Sequence, residues 1–142
     1  MIRKALVLVL IALSPQVLAE ESYYDGKNTL LCSVLNTRQC DINGCQLVAI
    51  EDINLPRHIL ADFKKKRLSS TQFYKTLVET RINNVTRLDN LLFVSGVDES
   101  SKQAEDALAW SMAIAEPTGL MTLTINGDET AFVAFGVCVP VD

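Results

Sequence analysis

Residues 107–138, ALAWSMAIAEPTGLMTLTINGDETAFVAFGVC, carry the clearest structural pattern of the chain. Large apolar residues alternate with small or polar ones over 107–115 and again over 120–125, which is typical of strands with one buried face. A third segment, 130–138, is rich in aromatic and β-branched residues. Glu116-Pro117-Thr118-Gly119 and Asn126-Gly127 are turn sequences, the second of the tight primed type. These residues predict an antiparallel meander of three strands.

The same pattern continues upstream with less regularity. Asn28–Thr37 and Cys45–Glu51 are predicted strands on either side of a turn that contains Asn43-Gly44. Arg81–Arg87 and Leu91–Val97 are a further predicted pair, linked by Leu88-Asp89-Asn90. The number and spacing of these segments predict a small antiparallel all-β domain, barrel-like or a sandwich, with about eight or nine strands.

Three segments fit more than one conformation. Pro56–Leu68 alternates apolar residues as a strand does, but it also carries a proline where a helix could begin, and we favour the strand. Ser69–Thr80 is compatible with a strand or a short helix. Glu99–Asp106 is polar and charged, which indicates a solvated loop or one helical turn.

The chain begins with the pattern of a secretory signal peptide. Arg3 and Lys4 precede the apolar run Ala5–Leu13, and Val17 and Ala19 occupy the two key positions of a cleavage site. The run is shorter than the roughly 20 residues that span a bilayer. We therefore expect residues 1–19 to be removed near Ala19, leaving residues 20–142 as a single exported β domain with no stable membrane anchor; a retained anchor is the alternative.

The charge balance disfavours two kinds of partner. The 142 residues have a net charge of −4, and loss of Arg3 and Lys4 with the leader would take it to −6. Such a surface disfavours nucleic acid and anionic membranes as partners. The basic cluster Lys64-Lys65-Lys66-Arg67 is either a solvated turn or edge strand, which we favour, or a local patch that binds anions.

Four cysteines follow the leader, and in an exported domain they indicate disulfides. Cys40 and Cys45 enclose a short turn sequence, so we pair them, which leaves Cys32 to join Cys138. A zinc site or a redox-active pair are the alternatives. The spacings of zinc ribbons and of Cys-x-x-Cys motifs are both missing from the sequence.

The sequence offers no organised catalytic or metal site. His58 is the only histidine, and no Gly-x-Ser-x-Gly motif accompanies it. The carboxylate pairs Glu51-Asp52, Asp98-Glu99 and Glu105-Asp106 fall at expected strand ends or loops. Ser95-Gly96 lies within a strand pattern, where glycine indicates a bulge or a close backbone approach. Because phosphate-loop, dinucleotide and zinc-protease motifs do not occur, we expect no catalytic residue, metal or cofactor.

Trp110 is the only tryptophan, and with Met112 it faces the expected core. Core packing is the default role for both side chains, but the indole N–H needs an acceptor, which a ligand could supply. Ala134 and Gly136 are small, so they could leave room for a cavity opposite the indole. We therefore take Trp110 and Met112 as the candidate contacts for a small apolar ligand.

The segments Trp110–Ile114, Thr118–Thr122 and Ala131–Cys138 together resemble a group of uncharacterised small secreted proteins of Gram-negative bacteria. Their shared pattern is Trp-Ser, then Thr-Gly-x-Met-Thr, then Phe-Gly-x-Cys, with an early cysteine in the first strand and a signal peptide. Ala109 stands here where that group most often has glycine. The resemblance implies a periplasmic address and carries over no activity or functional residue.

These patterns favour a non-enzymatic binding protein over an enzyme. Its partner would be a small apolar ligand, held inside, or an envelope protein, held by an apolar patch outside. The alternatives are a hydrolase that uses loop carboxylates or His58, and a structural component of the envelope.

Overall fold

The computed structural model describes residues 22–71, 79–98 and 108–141. Within these ranges the chain forms ten strands and one short 3-10 helix: β1 (Leu30–Asp41), β2 (Gly44–Val48), the 3-10 helix (Ile50–Ile53), β3 (His58–Asp62), β4 (Arg67–Ser70), β5 (Glu79–Arg81), β6 (Asn84–Leu88), β7 (Leu91–Asp98), β8 (Leu108–Ala115), β9 (Leu120–Asn126) and β10 (Ala131–Pro140). The expected all-β class is confirmed. The expected signal peptide, 1–19, lies outside the described residues.

All described strands belong to one sheet, in the spatial order β5-β4-β3-β1-β10-β9-β8-β7-β6, with β2 paired to the second half of β1. This hydrogen-bonded path has two ends, so the sheet is not a closed barrel. Its end strands, β5 and β6, are nevertheless consecutive in the chain, with Ile82 and Asn83 between them. Asn83 N–H donates to the Ser95 carbonyl at 2.9 Å, and Asn83 Oδ1 accepts from Val97 N–H at 3.0 Å. The sheet therefore curls, so that the segment directly after β5, at one end of the sheet, forms hydrogen bonds with β7, next to the other end.

The first and last strands are neighbours at the centre of the sheet. Cys32 and Cys138 lie directly opposite each other on β1 and β10, and they form a disulfide across 106 residues of chain. Cys40 and Cys45 are likewise opposite each other on β1 and β2, and they form the second disulfide. The pairing is the one expected from the sequence, and it fastens the sheet at its middle and at one hairpin.

Alternate residues of the strands face a common core. On β7, β8 and β9 the buried positions follow the expected period of two. On β1 a bulge at Leu35 shifts the register, so that Val34 and Thr37 both point inward. The buried Thr37 hydroxyl donates to the Val48 carbonyl at 2.6 Å, which satisfies its polar group. The largest fully buried side chains are Leu30, Val34, Ile82, Leu92, Val94, Met112 and Ile114.

The segment before β1 packs against β10 and against the turn before β9. The Tyr24 hydroxyl donates to the Cys138 carbonyl at 3.0 Å, and its ring packs against the core. Gly119 has a φ of +69°, and a Cβ there would lie 2.5 Å from the Tyr24 oxygen. A side chain at position 119 would thus displace the tyrosine, which explains the glycine.

Pro56–Leu68 is extended, as favoured from the sequence, but it forms a hairpin rather than one strand. β3 buries Ile59 and Ala61, and the chain then turns at residues 63–66 into β4. The Asp62 carboxylate accepts from Lys65 N–H at 2.9 Å within this turn. Of the other ambiguous segments, 72–78 and 99–106 lie outside the described residues.

The expected tight turn at Asn126-Gly127 is wrong. β9 ends at Asn126 and β10 begins at Ala131, and the loop between them closes when Gly127 N–H donates to the Thr130 carbonyl at 2.9 Å. The longer loop sets Ile125 opposite Phe132. A two-residue turn would set Ile125 opposite Asp128, so burial of apolar residues selects the longer loop.

Candidate functional site

Trp110 lies where β8 passes between β7 and β9, directly opposite Gly96 and Ile125. Its side chain is 5% exposed, and its indole N–H donates to Thr80 Oγ1 on β5 at 3.2 Å. A Cβ on Gly96 would lie 2.6 Å from the indole ring and 2.3 Å from the Arg81 carbonyl oxygen. The expected close approach at Gly96 is therefore confirmed, since its missing side chain lets the indole and β5 meet over β7.

An apolar cavity of about 70 Å³ lies beside the indole. Its walls come from strands β3, β4, β5, β8 and β9 and from the residues before β3. The lining residues are Leu55, Pro56, Ile59, Leu68, Ser69, Ser70, Thr80, Trp110, Leu123 and Ile125. Cavities for drug-sized ligands measure roughly 300–1,000 Å³. A cavity that admits benzene measures about 150 Å³. This cavity is too small for either class of ligand.

Of the two candidate ligand contacts, Trp110 and Met112, only Trp110 lines the cavity. Met112 is fully buried between Val94 and Leu123. The room expected opposite the indole is also filled, because a Cβ at Gly136 would lie 2.1 Å from the Ser33 carbonyl oxygen. Met112 is therefore a core residue, and Gly136 permits close packing of β1 and β10 rather than a cavity.

The outer face of β10 presents a row of apolar side chains. Phe135 and Val139 are 43% and 48% exposed, and Val137 lies between them on the same face. Successive outward residues on a strand are roughly 6.7 Å apart, so the row extends for about 13 Å. The neighbouring strands continue it.

Leu120 of β9 lies directly opposite Val137, and Leu31 of β1 lies directly opposite Val139. Leu120 is 59% exposed. Residues directly opposite on an antiparallel pair share a face and touch. The side chains therefore form one contiguous apolar surface, here named the β10 patch: Leu31, Leu120, Phe135, Val137 and Val139.

The β10 patch is absent from the sites predicted from the sequence, although the sequence carries a signal for it. Residues 131–139, AFVAFGVCV, contain no polar side chain. A strand with one buried face and one solvated face alternates apolar and polar residues. Apolar residues on both faces of an antiparallel strand thus indicate a second contact surface.

His58 lies on an exposed face of β3, and its Nδ1 is 3.0 Å from Ser33 Oγ. A serine nucleophile needs a histidine that a third group orients, and donors that stabilise an oxyanion. Within the described ranges the hydrogen-bond partner of the His58 ring is Ser33, and no carboxylate orients the ring. The pair is a surface hydrogen bond between adjacent strands.

Within the described residues, the carboxyl groups with a shifted pKa all favour their charged form. The pKa of Glu51 is lowered by backbone N–H donation and by Arg57, with which it forms an ion pair. The pKa of Glu116 is lowered by Arg87, whose Nη2 donates to it at 2.9 Å, and also by the Ser22 hydroxyl. A general acid requires a raised pKa, so these groups do not have the properties of a carboxylate pair that cleaves glycosidic bonds.

Over 22–71, 79–98 and 108–141, no group of three or more His, Cys, Asp or Glu side chains is arranged to hold a metal ion. No helix in these ranges has the length and apolar character needed to cross a membrane. Comparison of the chain with models of known protein families gives no match, and no curated protein matches it.

Proposed function

We propose that the chain is a non-enzymatic, exported binding protein that contacts a protein partner through the β10 patch. The observation that carries the proposal is the distribution of apolar surface. The side chains of Phe135, Val139 and Leu120 are grouped on the outside, while the cavity beside Trp110 holds about 70 Å³. A carrier of apolar ligands needs the opposite arrangement.

The patch has the composition of an interface core. The buried core of a protein interface is more apolar than the rest of the surface, charged residues are depleted there, and aromatic side chains such as Phe135 are enriched. The surrounding chain is acidic, with a net charge of −4. A basic partner would therefore associate faster than an acidic one, through long-range attraction.

The proposed location is the periplasm. The leader at residues 1–19 and the resemblance of residues 110–138 to small secreted proteins of Gram-negative bacteria both support it. The two disulfides are consistent with an oxidising compartment, since such bonds persist there and are rare in the cytosol.

A site-specific photocrosslinker tests the proposal. It is placed at Phe135 in the patch and, as a matched control, at Val97 on β7, since both side chains are 43% exposed. Both proteins are expressed with their leader in the producing cell and irradiated there. The proposal predicts a discrete crosslinked protein from position 135 that position 97 does not give.

The Leu120→Glu substitution supplies the second half of the test. It places a charge within the patch, opposite Val137, so it should abolish the crosslink from position 135 while the far-UV circular dichroism stays unchanged. The purified partner should then bind the unsubstituted protein and not the variant. The proposal is overturned if both positions give the same products, or if native mass spectrometry shows a small molecule bound to the protein.

A further inference from the structure

A cationic groove lies at one end of the sheet, where the turn between β3 and β4 meets β5. It has a volume of about 530 Å³. Its lining contains four cationic side chains and one carboxylate, with Thr80 between them: Lys65, Lys66, Arg67, Arg81 and Glu79. This concentration of positive charge occurs in a chain whose net charge is −4.

The backbone that carries these cations is fixed at several points. Asp62 accepts from Lys65 N–H at 2.9 Å, and its pKa is lowered chiefly by that bond. Lys66 has a φ of +55°, in the left-handed region, and its carbonyl accepts from Ile82 N–H at 2.9 Å. The turn is thereby hydrogen-bonded to the segment that follows β5, which fixes the backbone positions of the charged residues.

The charges of the groove are only partly compensated. Arg67 and Arg81 lie directly opposite each other on β4 and β5, an arrangement of like charges that is unfavourable on a sheet. Glu79 pairs with Arg67 at 2.5 Å, and Asp62 pairs with Lys65 at 3.4 Å. Within the described ranges, Arg81 has no ion-pair partner of this kind, and neither does Lys66.

We propose that this groove binds a phosphate group, with Arg81 and Lys66 as its principal ligands and Arg67 beside them. A guanidinium donates two parallel hydrogen bonds to phosphate oxygens, and a lysine ammonium adds a point charge. A bound dianion would also remove the repulsion between the two opposed arginines. The site is independent of the β10 patch, so either proposal can fail alone.

The phosphate could be free or could belong to a lipid headgroup, and two arms of one experiment separate these sources. Isothermal titration of the mature chain with inorganic phosphate at low ionic strength reports the free ion. Cosedimentation with vesicles of equal parts phosphatidylglycerol and phosphatidylcholine, compared with phosphatidylcholine alone, reports the headgroup. Binding in the first arm assigns free phosphate, and binding in the second arm alone assigns a membrane surface.

Arg81→Gln is the decisive variant, with Arg38→Gln as its matched control, because Arg38 is an exposed arginine on β1 outside the groove. Loss of one charged donor should weaken binding about tenfold, while the control should change it less than twofold. Lys66→Asn is the second variant, since asparagine tolerates the left-handed backbone while removing the charge. The proposal is overturned if neither arm shows binding, or if the control weakens it as much as Arg81→Gln does.

Discussion

The disulfide between β1 and β10 should contribute more to stability than the one between β1 and β2. In the loop-entropy model the contribution grows with the length of chain that the bond closes. The separation of 106 residues for Cys32–Cys138 gives about 4.8 kcal/mol. The separation of 5 residues for Cys40–Cys45 gives about 2 kcal/mol. The expected difference is therefore about 2.7 kcal/mol.

The measurement compares two double variants, Cys32→Ala/Cys138→Ala and Cys40→Ala/Cys45→Ala, by urea unfolding followed through Trp110 fluorescence. The first variant also leaves a small cavity, because Cys32 and Cys138 are fully buried. A second comparison removes that contribution. The unfolding of the variant that lacks Cys40 and Cys45 is measured with and without a reductant. The reductant breaks the Cys32–Cys138 disulfide but leaves both sulfur atoms in place.

Two results would contradict a dependence of stability on loop length. Equal losses of unfolding free energy in the two double variants would show that loop length does not set the contribution of these bridges. A loss on reduction far below about 4 kcal/mol would show that the unfolded chain is already compact enough to keep its ends together.

Three further predictions concern single residues. Gly96→Ala places a methyl group against a backbone carbonyl of β5, so it should lower the free energy of unfolding by about 1–3 kcal/mol. Gly127→Ala is the control, because a Cβ at position 127 would lie 3.4 Å from its nearest neighbour. Equal losses of stability for the two variants in chemical unfolding would contradict the close approach at Gly96. The ion pair with Arg87 lowers the pKa of Glu116 in the folded protein. The pair therefore stabilises the fold fully at pH values above the pKa of the unfolded chain, roughly 4.3, and this stabilisation is lost as the pH falls through the lower pKa of the folded protein. Glu116→Gln should accordingly reduce the loss of stability on acidification, and an unchanged pH profile of melting temperature would count against the pair. Trp110→Phe removes the indole hydrogen bond and should lower the free energy of unfolding by about 1 kcal/mol, measured by unfolding followed through circular dichroism. An unchanged unfolding midpoint would show that the bond contributes nothing.

The sequence predicts the strands well where one local rule determines them. Over 107–115 the alternation of large and small residues is unbroken, and β8 covers Leu108–Ala115 of that segment, residue 107 lying outside the described residues. The two disulfides follow from export and from a short turn sequence. The turn at residues 63–66 was missed because Phe63 continues the alternation of β3, so the local pattern does not mark where the strand ends.

The candidate sites were harder to predict because they depend on contacts between distant residues. Thr80 and Trp110 are 30 residues apart, and their hydrogen bond forms only because β5 crosses Gly96. The opposed Arg67 and Arg81 depend on the register of β4 and β5, which no turn sequence specifies. The outward row on β10 could have been inferred, since Ala131–Val139 has no polar side chain for a solvated face.

The central position of β1 and β10 has a consequence for the order of events during biosynthesis. Of the described strands, β1 is made first and β10 last, and β1 pairs along most of its length with β10. The ladder at the middle of the sheet therefore cannot form until residue 138 has left the ribosome and, in an exported chain, the translocation channel. Until then β1 exposes one unpaired edge, to which another chain can add. We expect a binding chaperone to engage the nascent protein at this edge, and truncation before β10 to give aggregates rather than a smaller domain.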